Sequence, residues 1–196
     1  MTRFIDVPML SQLLSHVGEQ AFIEGMAEYI TSDFLRWPEF QKSARTAAHT
    51  EQGVIELMPI ADPVQYGFKY VNGHPSNTKL GLSTVMAFGA LANMDTGFPV
   101  LVSELTITTG FRTAVTSAIA AKALCKPEAK KMAMIGCGAQ SEFQIIAFLY
   151  LLGINEVNIY DIDLHACVKL QKNLADKAVN ITIKPSVEEA LRGADI

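Results

Sequence analysis

Between residues 131 and 161 the chain presents, in order, an apolar run, a glycine-rich turn, an apolar segment of helix length, a second apolar run and an acid. Lys131-Met-Ala-Met-Ile leads into Gly136-Cys137-Gly138-Ala139-Gln140-Ser141, and Glu156-Val-Asn-Ile-Tyr160 ends at Asp161. This alternation demands a parallel sheet, because a strand–helix–strand unit lays its second strand beside the first by a right-handed crossover. The turn carries chemistry of its own. Gly136 permits a tight bend, and Gly138 lets the backbone approach a pyrophosphate at the positive end of the next helix. Ser141 stands where a third Gly or Ala is usual and is still small enough for close helix–strand contact. An acid at the end of the second strand accepts both ribose hydroxyls and repels a 2′-phosphate, so Asp161 predicts NAD in preference to NADP. A tight α/β turn with no ligand would use the same glycines. Asp163 is a competing acid, placed to cap the helix that follows.

The rest of the chain has two rhythms. Asp6 as N-cap and Pro8 in the first turn open a helical pattern that runs from 7 to about 37, interrupted at Gly18 and stopped by Trp37-Pro38. From 42 to 104, short runs alternate with turn signals such as Ala61-Asp62-Pro63 and Asp95-Thr96-Gly97. They predict strands over 43–50, 54–60, 66–71, 82–92 and 99–105, an antiparallel meander with barrel-like potential. An Ala-rich helix is expected over 114–124. Strands at 131–135, 156–160 and 181–183 then alternate with helices at 139–152, 164–177 and 187–192, and a fourth strand starts near Asp195. The fold class is therefore α/β: an α+β domain with an antiparallel sheet over 1–113, then the first half of a Rossmann-type domain over 114–196.

Charge excludes several functions. Residues 1–113 hold seven basic and eleven acidic side chains, and residues 114–196 hold nine of each. With no basic cluster longer than Lys130-Lys131, neither a nucleic-acid footprint nor a polybasic membrane patch is present. The uncharged stretches 80–94 and 143–155 fall short of the ~18–20 apolar residues of a membrane span. Asp6 and Pro8 interrupt what would be the apolar part of a signal peptide, which predicts a cytoplasmic protein. Cys125, Cys137 and Cys167 have the spacing of neither a metal site nor a disulfide framework and read as buried thiols.

Three cations stand alone in uncharged surroundings: Arg45, Lys69 and Arg112. Isolated cations among apolar neighbours are costly to bury unless an anion meets them, and a small carboxylate would account for all three. Each could equally snorkel from an apolar surface. Glu56, in Val-Ile-Glu-Leu-Met, suits either a substrate amine or an outward-facing strand position. His74 sits in a Gly-His-Pro turn with a loop role, and His16, His49 and His165 show no partner spacing. No nucleophile elbow, zinc signature or P-loop occurs, and a cofactor loop with carboxylate grips and no strong nucleophile suits hydride chemistry on an amino or imino acid.

These residues resemble a known family. Arg45, Glu56-Leu-Met-Pro, Lys69-Tyr-Val-Asn-Gly-His-Pro-Ser-Asn-Thr, Ser103-Glu-Leu-Thr, Arg112-Thr-Ala and Gly136-Cys-Gly-Ala-Gln-Ser are similar to the ornithine cyclodeaminase/mu-crystallin family, nearest to its bacterial members. The likeness covers essentially the whole chain but little more than half of a family member. It implies conversion of L-ornithine to L-proline and ammonia, a step of proline formation and ornithine breakdown, with NAD reduced and reoxidised within one turnover. It assigns Arg45, Lys69 and Arg112 to the substrate carboxylate, with Arg112 also near the cofactor and Lys69 an auxiliary in catalysis. Glu56 would order the amine or a water. Thr84, Ala139, Gln140 and Asp161 would contact NAD beside Gly136 and Gly138, and no metal is implied. The family's catalytic aspartate has no counterpart here and is expected beyond Ile196. The 196 residues alone are therefore expected to be inactive, with the first Rossmann strand at an open edge. A homodimer through the first sheet is expected from the resemblance and from the apolar run 85–92. Ketimine reduction, amino-acid dehydrogenation, lysine cyclodeamination and non-catalytic ligand binding are the alternatives that the family carries.

Overall fold

Asp6 opens the first helix as its composition demands. Its carboxylate accepts from the Met9 amide, and Pro8 occupies the first turn of α1 (Val7–Val17). Gly18, at φ +88°, turns the chain into α2 (Glu19–Leu35), and Trp37–Glu39 forms a single 3-10 turn beyond it. The computed structural model describes all 196 residues and divides into two units. One comprises Met1–Gly18 and Ser32–Thr109, the other Glu19–Thr31 and Gly110–Ile196.

The first unit is built on a seven-stranded sheet: β1 (Arg3–Ile5), β2 (Gln41–Lys42), β3 (Thr46–Thr50), β4 (Gly53–Ala61), β5 (Gln65–Gly73), β6 (Ala87–Asn93) and β7 (Pro99–Glu104). The central strands β4 to β7 form the expected antiparallel meander. β1 lies parallel to β7, so the sheet is mixed. Its order, β1-β7-β6-β5-β4 with β2 and β3 both on β4, is an open path and not a barrel. Side-chain oxygens fix the turns. One oxygen of Asp62 accepts from the Val64 and Gln65 amides and the other pairs with Arg36, and the two amide bonds lead in holding this carboxyl below the ordinary range.

Two expectations fail here for stated reasons. The strand expected over 43–50 breaks at 43–45, which leaves Arg45 outside regular structure. The strand expected over 82–92 begins only at Ala87: the Met86 amide is taken by the Asn72 side chain, while the Met86 and Thr84 carbonyls accept from the Asn72 and His74 amides outside the regular ladder.

The second unit carries a three-stranded parallel sheet, β8 (Lys131–Ile135), β9 (Glu156–Tyr160) and β10 (Asn180–Ile183), in the order β10-β9-β8. α4 (Ser141–Leu152), α5 (Leu164–Asn173) and α6 (Val187–Leu191) alternate with the strands. α5 ends before the expected residue 177, and Ser186 caps α6. Val115, Ile145, Ile154, Val157, Ile159 and Leu170 are fully buried and make a dry core. β8 is the outer strand of this sheet, and only the start of its free edge is met by other chain. The Asp195 and Ile196 amides both donate to the Lys131 carbonyl, and the Ala133 amide donates to the Ile196 carbonyl. The Asp195 carboxylate accepts from the Lys130 and Lys131 amides, which lowers its pKa.

The helix expected from 114 starts at Thr106 and runs to Leu124 as α3. Thr106-Ile-Thr-Thr-Gly110 has poor helix propensity, and local capping overrides it. Glu104 accepts from the Thr106 amide, and the Thr106 hydroxyl accepts from the Ala87 amide. No helix is long and apolar enough to cross a membrane.

Candidate cofactor and carboxylate site

The glycine turn of the second unit is held from below by one carboxylate. Gly136, at φ +96°, closes the strand with its amide on the Tyr160 carbonyl. The next amide, of Cys137, donates to Asp161 at 2.7 Å, and the Asp163 amide donates to the other Asp161 oxygen at 2.8 Å. These two backbone bonds, Cys137 first, hold the Asp161 carboxyl below the usual carboxylate range. Asp161 is thus both an acid at the strand end and the clamp of the turn, and the clamp was missed in the sequence. The cue was the short chain path between a strand-end acid and a strand-end glycine in adjacent parallel strands.

Ser141 is buried, and its hydroxyl donates to the Gly138 carbonyl at 2.6 Å, so its place in the motif has a structural reason. A Cβ placed at Gly136 or Gly138 meets nothing within 4 Å, and the N-cap of α4, Gln140, makes no side-chain capping bond. An open space thus lies over a helix N-terminus with Ala139 and Gln140 beside it, which fits a dinucleotide pyrophosphate. Asp163 caps α5 through the His165 amide, leaving Asp161 as the acid of this turn.

Packing places α4. At Gly110 a Cβ would lie 2.8 Å from the Phe143 ring, so glycine lets that ring approach α3. Phe111 meets Phe143 edge to face at 4.9 Å and Phe22 at 5.5 Å. Arg112, the next residue, is exposed and takes part in no ion pair. The Cys137 and Cys167 sulfurs lie 3.6 Å apart in the core, and burial pushes the Cys137 thiol up to about 12. That thiol is a core group and no nucleophile.

The first unit gathers the other candidates on one sheet face. Glu56 pairs with Val71 and Ala47, while Lys69 pairs with Met58 and Gly89; residues directly opposite share a face, and so do alternate residues along a strand. Glu56 and Lys69 therefore face the same way. Arg45, just before β3, reaches Glu56 at 3.7 Å. Glycine is required opposite Lys69, since a Cβ at Gly89 would meet the Phe68 carbonyl at 2.4 Å. Thr84 lies outside the strands, half-buried, its carbonyl accepting from the His74 amide. The structure thus brings Arg45, Glu56 and Lys69 to one face, while Arg112 and the glycine turn belong to the other unit. No group of His, Cys, Asp and Glu side chains could hold a metal ion.

The comparisons with known proteins meet this geometry. The model of the ornithine cyclodeaminase/mu-crystallin family matches residues 7–196. The chain belongs to that family. It is 50% identical to the ornithine cyclodeaminase of Brucella suis over 193 residues, 98% of this chain and 54% of the relative. The chain therefore spans about half the length of the curated relatives it matches. Among solved structures of the fold, the Δ1-pyrroline-2-carboxylate reductase of Thermococcus litoralis, in complex with NADH and L-proline, superposes with a TM-score of 0.86 at 27% identity, covering 98% of this chain and 59% of that one. An archaeal alanine dehydrogenase dimer with bound NAD gives 0.81 at 29% identity, covering 96% and 57%. As a family member the chain has a mixed α/β fold whose second unit is Rossmann-like.

Proposed function

We propose that this chain carries the NAD-binding and carboxylate-binding parts of an ornithine cyclodeaminase, which converts L-ornithine to L-proline and ammonia. The observation that carries the reading is the 50% identity to a protein of that name across nearly the whole chain. In this reading residues 1–113 bind substrate and dimerise, and residues 114–196 bind NAD. When bound, the dinucleotide supplies a hydride acceptor and donor.

The chain's own residues do the rest of the holding. Gly136, Gly138, Ala139 and Gln140 accommodate the pyrophosphate, Asp161 accepts from the ribose and disfavours a 2′-phosphate, and Thr84 adds a contact. Arg45, Lys69 and Arg112 grip the substrate carboxylate, which leaves Cα fixed and the side-chain amine free to reach it. Glu56, already beside Arg45, orders the amine or a water, and Lys69 assists proton movement. No residue of the chain is assigned the proton transfers at the two nitrogens. The first sheet supports a homodimer, since Leu57, Tyr66 and Phe88 leave much of their apolar surface exposed on it. The cytoplasm is the proposed location.

Electron flow is the test. The protein as the cell makes it, given L-ornithine and NAD, is expected to release ammonia and proline in equal amounts with no net NADH. Accumulation of NADH would make it a dehydrogenase, and neither product would make it a binding protein.

A further inference from the structure

On the sheet face that carries Glu56 and Lys69, a methionine stands directly between the charges. Alternate residues of a strand share a face, and so do residues directly opposite across a pair. Met58 follows Glu56 on this face, about 6.5 Å further along β4. It lies directly opposite Lys69 of β5, so Glu56 and Lys69 are diagonal neighbours and Met58 occupies the corner between them. On the far side of the pair, Val71 opposite Glu56 is buried, and Gly89 opposite Lys69 has no side chain. Met58 itself is half-buried. All of these residues belong to the first unit.

A thioether side chain can serve neither charge. What it can do is cover apolar surface, and its unbranched, polarisable chain adapts to a flexible partner. A diamino acid has the matching order of parts: a carboxylate for the cations, a terminal amine for Glu56, and methylenes joining the two. Each methylene taken out of water is worth about fourfold in affinity. The order acid, thioether, cation on the sheet thus repeats the order amine, methylenes, carboxylate in such a ligand.

We propose that Met58 is a specificity-determining residue, which lies along the substrate's methylene chain and selects its length: three methylenes, as in ornithine, over four, as in lysine. The proposal rests on the functional reading above for the identity of the substrate and on the register of β4 and β5 for the rest. It gives the Glu56-Leu57-Met58 run a division of labour. Leu57, on the opposite face, is left exposed, while Met58 is turned to the ligand's face.

Kinetics of the protein as the cell makes it, with L-ornithine and with L-lysine, test it alongside binding of L-norvaline and L-alanine. Norvaline keeps the carboxylate, the α-amine and a three-carbon chain without the terminal amine, and alanine lacks the chain. Met58→Ala should raise the lysine-to-ornithine ratio of kcat/KM about 10-fold or more, the discrimination that one methylene supports. It should weaken norvaline about 5-fold or more and leave alanine near its wild-type value. Met58→Gln keeps the reach of the side chain but ends it in a polar group, so it should weaken norvaline selectively even where Met58→Ala does not fold. Met58→Leu, apolar and of similar volume, should restore most of the ratio. An unchanged ratio in Met58→Ala, or norvaline and alanine weakened alike, overturns the specificity role, because general damage to the sheet has that signature. Norvaline binding that depends on Met58, in a wild-type protein forming no proline from L-ornithine, would remove the functional reading and keep the chain contact. Proline formation with norvaline indifferent to Met58 would do the reverse.

Discussion

The two units are stabilised in opposite ways. In the second, β8, β9 and the helices enclose side chains with essentially no exposure, Val115, Ile159 and Leu170 among them. In the first, the apolar side chains that count as buried, Leu10, Ala61, Val71 and Ala87, all retain 4–8% exposure, while Phe4, Leu57, Val64, Tyr66, Phe88 and Phe98 face outward. The second unit closes on itself through crossover helices that cover its sheet. The first has a wide sheet, caps its turns with Asp62, Asn93 and Glu104, and leaves apolar surface over. The contrast teaches that one unit sets its glycine turn on a dry, close-packed base, while the other holds its charged residues on a sheet that leaves apolar side chains exposed.

Truncation separates the two most strongly. Leu170→Ala or Ile159→Ala should cost about 2–5 kcal/mol in denaturant unfolding, as cavities in a close-packed core do. Leu57→Ala should cost well under about 1 kcal/mol in a monomer and should instead weaken self-association, read by sedimentation. A stable monomer at micromolar concentration, unaffected by Leu57→Ala, would remove the dimer reading.

Gly110 gives the next effect. Gly110→Ala forces a methyl into the Phe143 ring and should cost about 1–3 kcal/mol by overpacking. Gly136→Ala, in the left-handed region but with open space around it, should cost about 1–2 kcal/mol through backbone strain alone. Thermal melts of the two variants distinguish packing from conformation.

Asp161 tests the clamp. Its folded carboxyl lies below the ordinary Asp value near 3.9, so the stability it adds is whole above about pH 4 and is lost as pH falls through the folded value. Asp161→Ala should flatten that part of the acid-unfolding curve and raise NADP affinity relative to NAD. An unchanged nucleotide preference would leave Asp161 as a structural clamp only.

How much of this could be read in the sequence differs between the units in the same way. The bounds of β8 and β9 coincide with the runs 131–135 and 156–160, because a buried parallel strand followed by a helix writes its own limits in apolar residues and Gly. In the first unit, β1 depends on pairing with β7 across most of the domain, which a three-residue run cannot announce. The first turns of α3 are poor helix formers rescued by Glu104 and by the bond between Thr106 and Ala87. The glycines, Asp161 and the lone cations stood out by type. The Arg45–Glu56 pair and the Asp161 clamp did not, because both depend on which strands lie side by side.

The smallest expected stability effect belongs to Arg45, whose exposed pair with Glu56 contributes about 0–1 kcal/mol, so Arg45→Ala should leave the melt nearly unchanged. Its effect on substrate affinity should be about 10- to 150-fold, the loss of one charge-assisted bond. A crystal structure of the protein with NAD and L-proline decides whether the two units serve one site. The account predicts the proline carboxylate held by Arg45, Lys69 and Arg112 together, with the dinucleotide over Gly136 and Gly138. Cations directed to separate surfaces, or a carboxylate bound elsewhere, would contradict it.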